Sequence, residues 1–91
     1  MKVNICGIPH EIVYEKDKFD TDLHLGEIKY AEAKIVINED AAHSVRDEAL
    51  CHEIIHGILI HIGRNDLTCD EQFVQGLANA VYQTFDVRLE E

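Results

Sequence analysis

The chain has 91 residues, of which 46% are hydrophobic and 29% charged, the composition of one compact globular domain spanning residues 1–91 rather than of a disordered chain. Eight Lys and Arg stand against 18 Asp and Glu, a formal charge of −10 that argues against binding the phosphate backbone of nucleic acids or an anionic membrane. The three cysteines, Cys6, Cys51 and Cys69, form no CxxC pair. They read as reduced thiols, and with no apolar run near the ~20 residues of a membrane span the chain is expected to be cytoplasmic.

The first forty residues read as strands. Val3, Ile5, Ile8, Ile12 and Tyr14 alternate loosely with polar residues around a Gly7-Ile8-Pro9 turn, as in a strand pair or a bent strand. The charged stretch Tyr14–Asp22 reads as a loop. Gly26–Tyr30 and the β-branched run Lys34–Asn38, joined through Ala31-Glu32-Ala33, read as a hairpin. Lys34–Asn38 is expected to be the most buried strand, or the one nearest a cleft.

From about Ser44 to Ile62 the period becomes helical, with Leu50, Ile54, Ile58 and Ile62 at i, i+4 spacing. Ser44 or Asn38-Glu39-Asp40 can cap its start, and Gly63 can end it. A second helix is expected from about Asp70 to Phe85. The expected fold is therefore α+β: a small antiparallel sheet of about three strands, then two helices packed together.

The first helix carries His52-Glu53-Ile54-Ile55-His56, an H-E-x-x-H sequence. Residues four apart share one helix face, so both imidazoles can reach a single ion. Glu53 lies beside the first of them, where a carboxylate can act as general base toward a metal-activated water. The residues between and after are apolar, which argues that this part of the helix is buried. Buried histidines beside a buried glutamate are costly unless paired or coordinated. A catalytic zinc site takes three protein ligands, so a third is needed.

Glu71, with fourteen residues between it and His56, is the candidate. It shares a helical face with Val74, Ala78 and Val81, so a helix packing through those residues turns Glu71 inward. The alternative is structural: Thr68-Cys69-Asp70-Glu71 fits a capping box, in which Glu71 bonds only the backbone. Cys69 and Asp70 are the fallback ligands. His61, five residues past His56, points about 140° away on an α-helix and reads as a helix-end residue. His10, His24 and His43 read as surface residues.

The HExxH…E arrangement resembles the gluzincin type of zincin metallopeptidase. Leu50–Gly57 together with Asp70–Asn79 resemble, more closely, small phage- and mobile-element-encoded proteins near the ImmA/IrrE metallopeptidase group. The resemblance implies Zn²⁺ held by His52, His56 and Glu71, with Glu53 as general base hydrolysing a peptide bond. It also implies a strand beside the cleft that pairs with an extended substrate, for which Lys34–Asn38 is the candidate. The expected partner is a protein or peptide, such as a basic DNA-binding repressor drawn to the acidic surface. The alternative is a non-catalytic interaction module in which zinc staples two helices. Spacing singles out no residue to stabilise a developing oxyanion; Tyr14, Tyr30, His43 and His61 are the candidates.

Overall fold

The computed structural model describes residues 1–16, 19 and 24–91. In chain order it contains β1 (Lys2–Ile5), β2 (Ile8–Glu15), β3 (Gly26–Lys29), β4 (Lys34–Asn38), α1 (His43–His61), α2 (Asn65–Thr68) and α3 (Glu71–Thr84). The fold is α+β, and its sheet differs from the expected one. Four strands lie in the order β1-β2-β4-β3, and the sheet is mixed, because β2 and β4 run parallel.

Local chemistry explains both hairpins. Cys6 and Gly7 both take positive φ (51° and 84°), the backbone of a two-residue turn whose twist matches its strands, and Ile5 faces Ile8 across it. Pro9 faces Asn4 and precedes the stretch Glu11–Glu15 that pairs with β4, so its missing N–H interrupts no bond to that strand. The second hairpin pairs Gly26 with Ile37 and Lys29 with Lys34, as its alternation predicts. The chain leaves β2, passes one strand position to form β3 at the edge, and returns as β4 between them. That return makes β4 parallel to β2. β2 itself runs to Glu15, into the stretch expected as a loop; positions 17, 18 and 20–22 of that stretch lie outside the described residues.

β4 is the most buried strand, with Ile35 and Ile37 fully enclosed. It is bonded on both sides and offers no edge to a substrate, which corrects its assignment as the pairing strand; the cleft edge belongs to β3.

α1 is apolar around most of its circumference because it is covered twice. Leu50 and Ala49 pack on Val3, Ile5, Ile12, Ile35 and Ile37 of the sheet, while Cys51, Ile55 and Leu59 pack on Val74 and Ala78 of α3. At Gly57 the helix lies so close to the sheet that a Cβ would fall 3.0 Å from both Ile5 Cδ1 and Ile28 Cδ1. Neither expected cap of α1 forms: its N-cap is Ala42, with no side-chain bond, and Asn38 instead closes a turn through Asp40 N–H (2.9 Å). Gly63 (φ 80°) follows the end of α1 as expected. The chain then forms the short α2, which sequence spacing did not indicate.

His10 is fully buried rather than on the surface. It alternates inward with Ile12 on an internal strand, donates Nδ1–H to Ile8 O (2.8 Å), and meets the His61 ring edge-on at 5.7 Å. His24 and His43 are exposed, and His61 lies in the last turn of α1, as expected. No helix among the described residues is long and apolar enough to cross a membrane.

Ala78 has no exposure and forms the contact that sets α3 against α1. Replacing it with leucine is expected to overpack this contact and destabilise the protein by about 1–3 kcal/mol. The urea midpoint would measure the loss, and an unchanged midpoint would show that α3 docks elsewhere.

Candidate functional site

α1 and α3 bring three of the side chains singled out above to one place. His52 and His56 project from the same face of α1, one turn apart, and Glu71 begins α3 opposite them. The two Nε2 atoms are 3.2 Å apart. Glu71 Oε2 lies 3.1 Å from His52 Nε2, and Oε1 lies 3.0 Å from His56 Nε2. Among the described residues, this is the one group of three or more His, Cys, Asp or Glu able to share an ion.

Helix capping does not explain Glu71. Asp70 is the N-cap of α3 and accepts Phe73 N–H at 3.1 Å, so the capping box centred on Thr68 does not form. Asp70 is thereby occupied and Cys69 is exposed outside the cluster, which removes both fallback ligands.

The other ring edges are held by residues that sequence reading missed. Gln75 Nε2 donates to Glu48 Oε1 and to Asn79 Oδ1, both at 2.9 Å, which turns Gln75 Oε1 toward His52. An oxygen there can only accept, so His52 carries its proton on Nδ1 and donates it across 2.8 Å. A neutral His52 therefore presents a bare Nε2. His56 Nδ1 lies 2.7 Å from Thr68 Oγ1, a hydroxyl able to accept from the ring or to donate to it. Burial pushes the pKa of His56 below its ordinary value; Glu71 opposes this shift and His52 reinforces it. The signals were present in the spacing: Glu48 precedes His52 by four residues, and Gln75 follows Glu71 by four.

The arrangement fits a tetrahedral ion. Ligand bonds of about 2.0–2.1 Å place neighbouring donor atoms about 3.3 Å apart, close to the separations found. Three ligands leave a fourth position for water or substrate. The donor set of two imidazoles and a carboxylate suits zinc and also other first-row metals.

Glu53 is 9% exposed and sits against β3, where a Cβ on Gly26 would come 3.4 Å from its Cγ and 3.0 Å from Ile37 Cδ1. Glycine at 26 is what lets the strand pass so near. Burial, with the charges of Glu71 and Glu27, pushes the Glu53 carboxyl up to about 7. The cleft above these groups has a volume of about 520 Å³, bounded by Gly26–Ile28 of β3, Tyr30, Glu48, Ala49 and the cluster itself. Of the four candidates for an oxyanion donor, Tyr30 alone lines it.

Comparison with protein-family models, with curated proteins and with solved structures finds no match for this chain.

Two outcomes follow from this geometry. Gln75→Leu strips His52 of its acceptor and is expected to weaken zinc binding by about 10- to 100-fold in competition with a chelating dye. Undiminished affinity would mean that Gln75 does not orient the ring. In the metal-free protein, ionising Glu53 opposes folding. Because its folded pKa is about 7 against an ordinary 4.5, stability is fully kept below about pH 4.5 and declines as pH rises to about 7. Glu53→Gln in the presence of chelator is therefore expected to raise stability at pH 8 by up to about 3 kcal/mol and to change it little at pH 4.5. Equal effects at both pH values would refute the burial of this charge.

Proposed function

We propose that the chain is a small zinc-dependent endopeptidase in which His52, His56 and Glu71 hold the ion and Glu53 is the general base. The observation carrying this reading is the convergence of two imidazole Nε2 atoms and a carboxylate within 3.2 Å, on the wall of an open cleft, beside a buried carboxyl. An ion held there would supply a Lewis acid. Glu53 would take the proton of an attacking water and hand it to the departing amine. Gly26 keeps β3 close to Glu53, and Gln75 and Thr68 keep both imidazoles turned toward the cleft.

β3 supports an extended peptide as substrate. It lines the cleft and stands last in the strand order of the described residues, the position from which strand addition extends a sheet. Charge supports a basic one. Glu48, Glu53 and Glu71 border the cleft, and its described lining residues include no Lys or Arg, which favours peptides bearing lysine or arginine. A DNA-binding repressor, basic by trade, belongs to that class of partner.

The test uses untagged protein loaded with one zinc per chain and a set of lysine- and arginine-bearing peptides. Wild type is expected to cleave them, and Glu53→Gln to lose about 10²–10⁴-fold in rate while keeping its zinc. His52→Ala is expected to lose the zinc itself. Cleavage undiminished in zinc-loaded Glu53→Gln would overturn the mechanism.

A further inference from the structure

Three glycines belong to strands or helices, and two of them are explained by what lies against them. Gly26 lets β3 pass Glu53, and Gly57 lets α1 settle on Ile5 and Ile28. Gly76, in the middle of α3, has nothing within 4 Å of the place a Cβ would occupy. Glycine weakens a helix interior relative to alanine, and no contact among the described residues offsets that loss.

The face that holds Gly76 is apolar. Phe73, Gly76, Leu77 and Ala80 stand at i, i+3, i+4 and i+7, a stripe turned away from Val74 and Ala78, which pack on α1. Phe73 and Leu77 are 39% and 36% exposed, with Gly76 and Ala80 exposed beside them. Charge is missing here too. Residues 72–85 include no Asp, Glu, Lys or Arg, whereas every other strand and helix named above carries at least one.

Charge and shape decide what covers this stripe. A basic partner gains nothing from a face without carboxylates and is drawn to the acidic cleft instead. A second copy of the chain carries the same −10, and it meets the least repulsion where neither copy presents charge. The stripe also complements itself. In a two-fold antiparallel pair crossing between Gly76 and Leu77, Phe73 of each copy lies over Ala80 of the other, and Leu77 over Gly76. Large meets small at every one of these positions, and the open space at Gly76 receives a side chain from outside.

We propose that two copies of this chain associate through this stripe, α3 against α3 and antiparallel. The inference does not draw on the peptidase reading. α1 and its two histidines lie on the other side of α3, so the pairing leaves both clefts open. The 14 residues of α3 give a contact about 21 Å long, so the dimer is small in area and concentration-dependent.

Sedimentation equilibrium of the whole chain from about 1 μM to about 1 mM reads the association constant. Dimers are expected to form within that range. Raising salt from about 0.05 M to about 0.5 M should strengthen them by screening like charges, whereas a contact between opposite charges would weaken. Phe73→Ala removes the large member of each pair and Ala80→Phe crowds it, so each should weaken association by about 10-fold or more. Both side chains are exposed, and circular dichroism should show each variant folded like wild type. The double variant exchanges large for small and is expected to regain most of what either single variant loses. A monomer at every concentration and salt would overturn the inference and leave the peptidase reading untouched. Dimers that both single variants leave unchanged would also overturn it, by placing the contact elsewhere. A double variant no stronger than the weaker single one would overturn the antiparallel pairing.

Discussion

His52 Nε2, His56 Nε2 and the Glu71 carboxylate lie 3.0–3.2 Å from one another, and a neutral His52, its proton held on Nδ1 by Gln75, has none to place between them. Acceptors held this close repel unless a proton or a cation sits among them. Most of the fold can be read as what keeps them there against that repulsion. α1 fixes the two rings one turn apart, α3 is pressed onto α1 through Val74 and Ala78, and Glu71 is the first residue of α3. Gln75 and Thr68 then remove the other freedom, rotation of each ring, by hydrogen-bonding Nδ1.

The same constraint explains why α1 is apolar on two sides. A helix at the surface would present His52 and His56 to water, where imidazoles are free to protonate and turn. Enclosure between the sheet and α3 holds both side chains at 17% and 12% exposure, while Glu71 at 67% is reached from the solvent side. Enclosure also has a steric demand, met at two glycines. Gly57 brings α1 down onto Ile5 and Ile28, and Gly26 brings β3 up to Glu53. Side chains at either position would widen the spacing between helix and sheet on which the cleft depends.

Much of the cluster was legible in the sequence because it is local. The H-E-x-x-H spacing needs only a helix, and the inward turn of Glu71 follows from its period with Val74 and Ala78. The first hairpin, read as a strand pair or a bent strand about Gly7-Ile8-Pro9, turns instead at Cys6-Gly7, and Ile8 and Pro9 begin β2. The second was legible for the same reason as the cluster, being set by neighbouring residues. The parallel pairing of β2 with β4 was not, since it joins segments whose order in space no short-range pattern encodes. His10 was misread on the same account: its burial depends on β2 being internal, which follows only from the strand order. Gln75 follows Glu71 at helical spacing, but neither that spacing nor Thr68 reveals its histidine partner until α1 and α3 are placed together. The cap offered by Thr68-Cys69-Asp70-Glu71 failed because Asp70, two residues nearer the helix, is the N-cap and takes the Phe73 amide.

The acidity of the chain acquires a local meaning from this arrangement. Four glutamates border one cleft, and Glu53 among them is raised to about 7 chiefly by burial, then by the charges of Glu71 and Glu27. Without a cation, folding must bring these charges together, which subtracts from stability. A cation bound at His52, His56 and Glu71 reverses the sign of that contribution, because the carboxylates that repelled one another now attract the ion. An ion that binds only the folded chain stabilises it by RT ln(1 + [M]/Kd). In a domain with so small a core, that linkage makes occupancy and folding one equilibrium. An open cleft bordered by β3 and an enclosed Glu53 beside His52, His56 and Glu71 is what favours the proposed catalytic reading over a structural staple.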